Sequence, residues 1–194
     1  MARKKGLKQE HLVQAARKLF YKYGFKRVTI EEICRTADVS KMTFYKYYRN
    51  KTELVRAVIS RIAVDRLAGF ISVMSLDEPF PERMRRLVQM RLEQADEVNR
   101  DFLRELYVSA PPEIHEFIHQ KTREALETAM DFYRKAQEKG AIRADVKPEF
   151  ISWFLNHTVD MMGDERLVAM YDSSRELAAE VINLFLYGIL ARKE

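Results

Sequence analysis

The sequence predicts an all-α chain in two unequal parts: a three-helix head over residues 1–50 and a larger helical body over residues 51–194. Three observations predict it. Nearly every apolar run recurs at helical spacing, and none alternates cleanly enough for a strand. Helix start signals (Thr29, Ser40, Asn50, Pro148) and stop signals (Gly24, Gly140) fall between those runs. The charge also divides: residues 1–56 hold 15 Lys/Arg against 5 Asp/Glu, a net +10, while residues 57–194 hold 19 against 24, a net −5.

The elements follow in order. Residues 8–23 carry the stripe Leu12, Ala15, Ala16, Leu19 and Phe20, and Gly24 ends that helix. Thr29 opens the second helix with Glu32 three residues on, the capping-box spacing, and Ile30, Ile33, Cys34 and Ala37 are its inner face. Asp38-Val39 is a very short turn, where Asp tolerates the left-handed conformation better than most residues. Ser40 caps a third helix over residues 41–48, and Asn50 caps a fourth over residues 51–74. Further helices are expected over residues 82–98, 102–107, 112–139, 148–170 and from Ser173 or Ser174 to residue 191.

The third helix packs four aromatics and several cations into "SKMTFYKYYRNK". At about 100° per residue, Phe44, Tyr47 and Tyr48 share one face, and Lys41, Met42, Tyr45 and Lys46 share the other. The first face pins the helix to its neighbours. The second is cationic and presented outward, which suits a polyanion. Two helices joined by so short a turn, the second short and basic, form a helix-turn-helix.

"GFKRVTIEEICRTADVSKMTFYKYYRNKTELV", residues 24–55, resembles the DNA-binding domain of TetR-family transcriptional regulators. The resemblance rests on Thr29, Ala37-x-Val39-Ser40, Tyr45-x-Tyr47-Tyr48 and Lys51-x-x-Leu54, with Asp38 standing where the family usually has Gly. It implies a homodimeric repressor that binds a double-stranded DNA operator and carries a variable ligand pocket in its C-terminal domain. The family's phosphate-contacting positions fall on Thr29, Tyr45, Lys46 and Lys51, and its base-reading positions around Lys41, Met42 and Thr43, with Ser40 at the cap. Residue chemistry agrees: Lys donates to guanine, and Thr and Met can touch a thymine methyl. The basic "ARKK" start is expected to be a flexible arm along the DNA.

In the body, residues 150–162 carry two apolar stripes, and "ELAAEVINLFLYGIL" is apolar round most of its circumference. A helix buried on more than one side needs a second covering layer, and a second copy of the chain is the simplest source. Trp153, Phe154, His157, Met161, Val181, Leu184, Phe185 and Gly188 are the expected dimer interface. Phe70, Met74, Met90, Phe102, Leu106, Phe117, Met130 and Tyr133 are core first of all. With nine Met in the chain, they are also the expected lining of an adaptable pocket for a small, mainly apolar effector.

"HEFIH" places His115 and His119 one helical turn apart with Glu116 between them, the spacing of a zinc hydrolase. Thr122 and Ala125 stand where the longer metalloprotease pattern needs Gly and His, and no third ligand is evident. A metal-dependent hydrolase is therefore the alternative reading, and a DNA-binding regulator without small-molecule input is a third. Cys34 reads as a buried structural thiol, since no second cysteine exists to resolve it. No apolar run approaches the roughly 20 residues that cross a bilayer, and the N-terminus lacks an apolar signal region. The expectation is a cytoplasmic regulator that is not an enzyme, with no cofactor, no metal and no membrane partner.

Overall fold

Leu12, Ala16 and Phe20 lie one turn apart on the first helix and are completely buried, and the head folds around them. The computed structural model describes residues 2–162 and 164–190. Its helices are α1 (Ala2–Tyr23), α2 (Ile30–Thr36), α3 (Lys41–Tyr47), α4 (Lys51–Met74), α5 (Phe80–Asp96), α6 (Arg100–Tyr107), α7 (Pro112–Glu138), α8 (Pro148–Met162), α9 (Glu165–Ala169) and α10 (Ser174–Ile189). Among the described residues there is no strand, only a single antiparallel bridge between Ile142 and Leu190. The all-α expectation holds.

Local chemistry fixes the boundaries of the head. Gly24 ends α1 with φ +75, a backbone that residues bearing a Cβ adopt only at a cost. Thr29 and Glu32 form a reciprocal capping box, and Asp38 turns the chain with φ +52, as its position predicted. Ser40 and Asn50 cap α3 and α4 through the backbone N–H groups of Thr43 and Glu53.

Two hydrophobic clusters meet along α4. The first holds the inner faces of α1–α3, then Leu54, Val55, Val58 and Ile59 of α4, and also Phe102, Leu106, Ile114 and Ile118 from α6 and α7. The second gathers Phe70 and Met74 of α4 with residues of α5, α7, α8 and α10. Helix α4 thus has one end in each core. Helix α6 adds a polar bridge: the Asn99 N–H donates to the Tyr21 carbonyl (2.8 Å) and its side-chain amide to the Lys22 carbonyl (3.1 Å). Glu105 accepts from the Lys26 N–H at 2.8 Å. The last carbonyls of α1 and the turn after it are therefore satisfied by the body.

Two expectations need correction. The start at residues 2–5 is the first turn of α1 rather than an arm. The single helix expected over residues 148–170 is two, because Asp164 caps a separate short helix, its side chain accepting from the Arg166 N–H. The expected end of the last helix at residue 191 lies outside the described residues.

Candidate nucleic-acid interface and body cavity

Helix α3 is held from beneath by rings. Phe44 is fully buried, edge-on to Tyr45 (centroids 5.3 Å) and tilted against Tyr48 (5.8 Å). Above that anchor Met42 is 85% exposed, and Tyr45 and Lys46 are exposed beside it. Met42 is therefore outside the core and open to a partner.

The expected contact residues are engaged differently from one another. Lys41 forms an ion pair with Glu31, which holds the ammonium's pKa above its ordinary value and the carboxylate's below. The Thr29 hydroxyl and N–H both donate to Glu32, at 2.8 and 2.7 Å, so this residue is committed to the capping box. Ser40 and Thr43 share a hydroxyl–hydroxyl bond of 3.0 Å across the cap. Lys51 donates to the carbonyls of Lys26 and Val28, each at 3.0 Å, and loss of water pushes its pKa down while Glu105 pulls the other way. Lys51 thus fastens the start of α4 to the turn between α1 and α2.

The expected dimer residues split. Trp153 (56% exposed), Leu184 (69%) and Met161 lie open, together with Phe150 and Tyr187, which is 80% exposed. Trp153 stacks on His157 at 4.2 Å, and His157 Nδ1 meets the Trp153 carbonyl at 2.7 Å. Gly188 is exposed as well. Phe154 stacks on Phe185 (5.8 Å), which is edge-on to Tyr133 (6.3 Å), so these two rings join α8 and α10 to the body. Val181 and Phe185 line the body cavity, and Phe185 also borders the open face beside Phe150, Leu184 and Gly188. One side of α8 and α10 is core and the other is unpaired apolar surface.

Between α4, α5, α7, α8 and α10 lies a cavity of about 280 Å³, lined by Phe70, Leu126, Tyr133 and Phe185 among others. Phe102 and Leu106 line a neighbouring space of about 190 Å³ against the head. Of the remaining expected pocket residues, Met74 and Met130 are buried core, Met90 covers Gly69, and Phe117 lies under the Arg56 guanidinium (4.5 Å). They line neither space, because four well-packed side chains leave no void beside themselves.

The sequence reading missed two residues that do. Arg66 of α4 and Arg91 of α5 both reach the 280 Å³ cavity and an adjoining space of about 300 Å³. Arg91 donates to the Arg66 carbonyl (2.9 Å) and to Gln94 (3.1 Å), both neutral acceptors. Burial first, and the neighbouring Arg66 charge second, push Arg91 down to about 10. Tyr133 in the same wall is pushed up to about 12 by burial, with Arg91 opposing.

His115 is half-buried with Nε2 enclosed and unpartnered, and Glu116 is exposed. Among the described residues no three His, Cys, Asp or Glu groups come together to hold a metal. The third ligand that the hydrolase alternative needs is therefore not found there. Cys34 is buried, and burial raises its pKa. Among the described residues, no helix is long and apolar enough to cross a membrane.

A short basic helix held outward by a helix-turn-helix head is the arrangement that docks a helix in a DNA groove. Residues 12–58 match the sequence model described as bacterial regulatory proteins, tetR family. The likeness to the TetR family is thus carried by the head of the molecule, α1 to the start of α4. It is 28% identical over 82 residues to the uncharacterized HTH-type transcriptional regulator YhgD of Bacillus subtilis, which is 42% of this chain and 43% of that one. It is 35% identical over 51 residues to the HTH-type transcriptional regulator TtgR of Pseudomonas putida, 26% of this chain and 24% of that one. The chain thus spans less than half the length of these relatives. The likeness of fold extends further: the fatty acid degradation regulator FadR of Bacillus halodurans superposes with a TM-score of 0.70 at 17% identity, over 95% of this chain and 97% of that one.

Proposed function

We propose that this chain is a homodimeric transcriptional repressor whose hold on an operator is released by a small molecule in the body cavity. The observation that carries the reading is the outward face of α3, where Met42, Tyr45 and Lys46 stand exposed above a helix immobilised by Phe44 and Tyr48. In this reading residues 1–50 read DNA, with α3 in the major groove, and residues 51–194 pair the copies and take the ligand. Lys46, Tyr45 and the anchored Lys51 hold phosphates; Lys41, Met42 and Thr43 meet base edges from the cap at Ser40. The open face of α8 and α10 is what pairs. Because α4 has one end in each core, a ligand that repacks its far end changes the spacing of the two reading helices.

The test begins with an operator selected from random duplexes, followed by gel-shift titration and sedimentation. The expected site is a palindrome with half-sites about one helical turn apart or slightly more. Met42→Ala should change which base is preferred rather than weaken all sites equally. A wild-type monomer that binds its operator tightly would overturn the dimer, and a chain without preference among duplexes would overturn the whole reading.

A further inference from the structure

Several arginines of the chain find acids. Arg17 meets Asp65 at 2.7 Å, Arg86 meets Glu78 at 2.7 Å, and Arg104 meets Glu165 at 3.1 Å. Arg66 and Arg91 do not: among the described residues neither has a carboxylate within ion-pair distance. They stand side by side on the cavity wall instead, the Arg91 guanidinium donating to the Arg66 backbone carbonyl at 2.9 Å.

The three adjoining spaces all touch Arg66, and none has an Asp or Glu in its described lining. The only other cation there, Lys121, is already paired with Glu124 at 2.7 Å. Two guanidiniums on an otherwise apolar wall are costly unless an anion joins them. Arg91 uses two of its five N–H donors on neutral acceptors, which leaves a fork for a planar anion. Arg66 is largely exposed, so the pair sits where the cavity opens to water.

We propose that the cavity takes an amphiphilic anion: a carboxylate seated on Arg66 and Arg91, with its apolar tail among Leu67, Phe70, Leu126 and Phe185. This rests on the reading of the cavity as the effector site and refines it, since the tail fits the apolar effector expected from the sequence and the head does not. Both parts are needed. A charged molecule without a tail leaves the apolar wall wet, and a tail without a charge leaves the guanidiniums uncompensated.

The experiment is calorimetry on the full-length protein with three probes of one chain length below their micelle concentrations: decanoate, 1-decanol and decylammonium. Decanoate should bind at least about 10-fold more tightly than decanol, the worth of a charge-assisted bond in a shielded site, and decylammonium should bind weakest. Arg91→Gln should erase the preference of decanoate over decanol while leaving decanol binding as it was. Arg66→Gln, at a more exposed position, should reduce that preference and serves if the first variant does not fold. Equal binding of decanoate and decanol, no binding of decanoate, or an unchanged preference in both variants would overturn the proposal. Operator binding is followed separately. Decanoate that binds through the arginines without loosening DNA supports the anion site and overturns the ligand-release reading instead.

Discussion

Lys51 and Lys46 look interchangeable in the sequence, but the structure gives them different work. Lys46 stands exposed on α3, whereas the Lys51 ammonium donates to the carbonyls of Lys26 and Val28, each at 3.0 Å. Lys51→Ala strips the donor from both. Water replaces it at Lys26, where the bond is exposed, but less readily at Val28, where it is partly buried. A buried acceptor left unpaired costs about 1–3 kcal/mol, and release of the desolvated ammonium returns part of that, leaving roughly 1 kcal/mol. In a chain of this size that is a fall of about 2–4 °C in melting temperature. Lys46→Ala should not move the melting temperature, but it should lower the slope of log affinity against log salt by about 0.9, one phosphate's worth. Melting is followed by circular dichroism without DNA, and the slope by gel shift across a salt series. A Lys51→Ala protein that melts with the wild type, or a Lys46→Ala protein that melts early and keeps its slope, would refute the division.

Other expectations follow from the same geometry. Leu184→Glu, at an exposed site, should yield a folded monomer by sedimentation, while Phe185→Glu should lose fold as well as assembly because its ring packs on Tyr133 and Phe154. Tyr133 is held at about 12 against an ordinary 10, so the unfolded chain loses this proton first and stability falls as pH rises from 10 to 12. Tyr133→Phe should remove that fall, worth up to roughly 3 kcal/mol, from alkaline denaturation curves. Gly24→Ala should cost about 1–2 kcal/mol for its left-handed backbone, and more because the new Cβ would lie 2.7 Å from the Glu105 carboxylate oxygens. Adding Glu105→Ala should recover only the steric part, as a double-mutant cycle would measure.

The head was legible in the sequence because its signals are local. Capping at Thr29 and Ser40, the stop at Gly24, the turn at Asp38 and the split of α3 into two faces each depend on residues within one or two turns. The body was legible only in outline. The break at Asp164 is one polar residue in an apolar stretch, and periodicity alone runs through it. The cavity depends on which side chains fail to meet, and that is decided by helices distant in sequence. Met74 and Met130 read as pocket because they are flexible and apolar, yet they fill space rather than border it. Arg66 and Arg91 read as ordinary solvated charges on amphipathic helices, and nothing nearby in the sequence marks them as facing each other. Phe185 read as interface because α10 is apolar on several sides, and its contact with Tyr133, which ties it to the body as well, comes from a helix distant in sequence.

The stack of Trp153 on His157 has an optical consequence. Trp153 is the chain's single tryptophan, so light absorbed beyond the reach of the nine tyrosines excites this one ring. In a lone chain the ring is more than half in water, and its emission should lie to the red. Covering it with a second copy should shift the emission to the blue, and dilution should reverse the shift at the concentration where the pair comes apart. The hydrogen bond that its backbone carbonyl accepts from His157 Nδ1 fixes the stack, so the signal comes from one ring in one setting. On the proposed pairing, the ring is an unlabelled gauge of assembly, on the helix face that a second chain would have to cover.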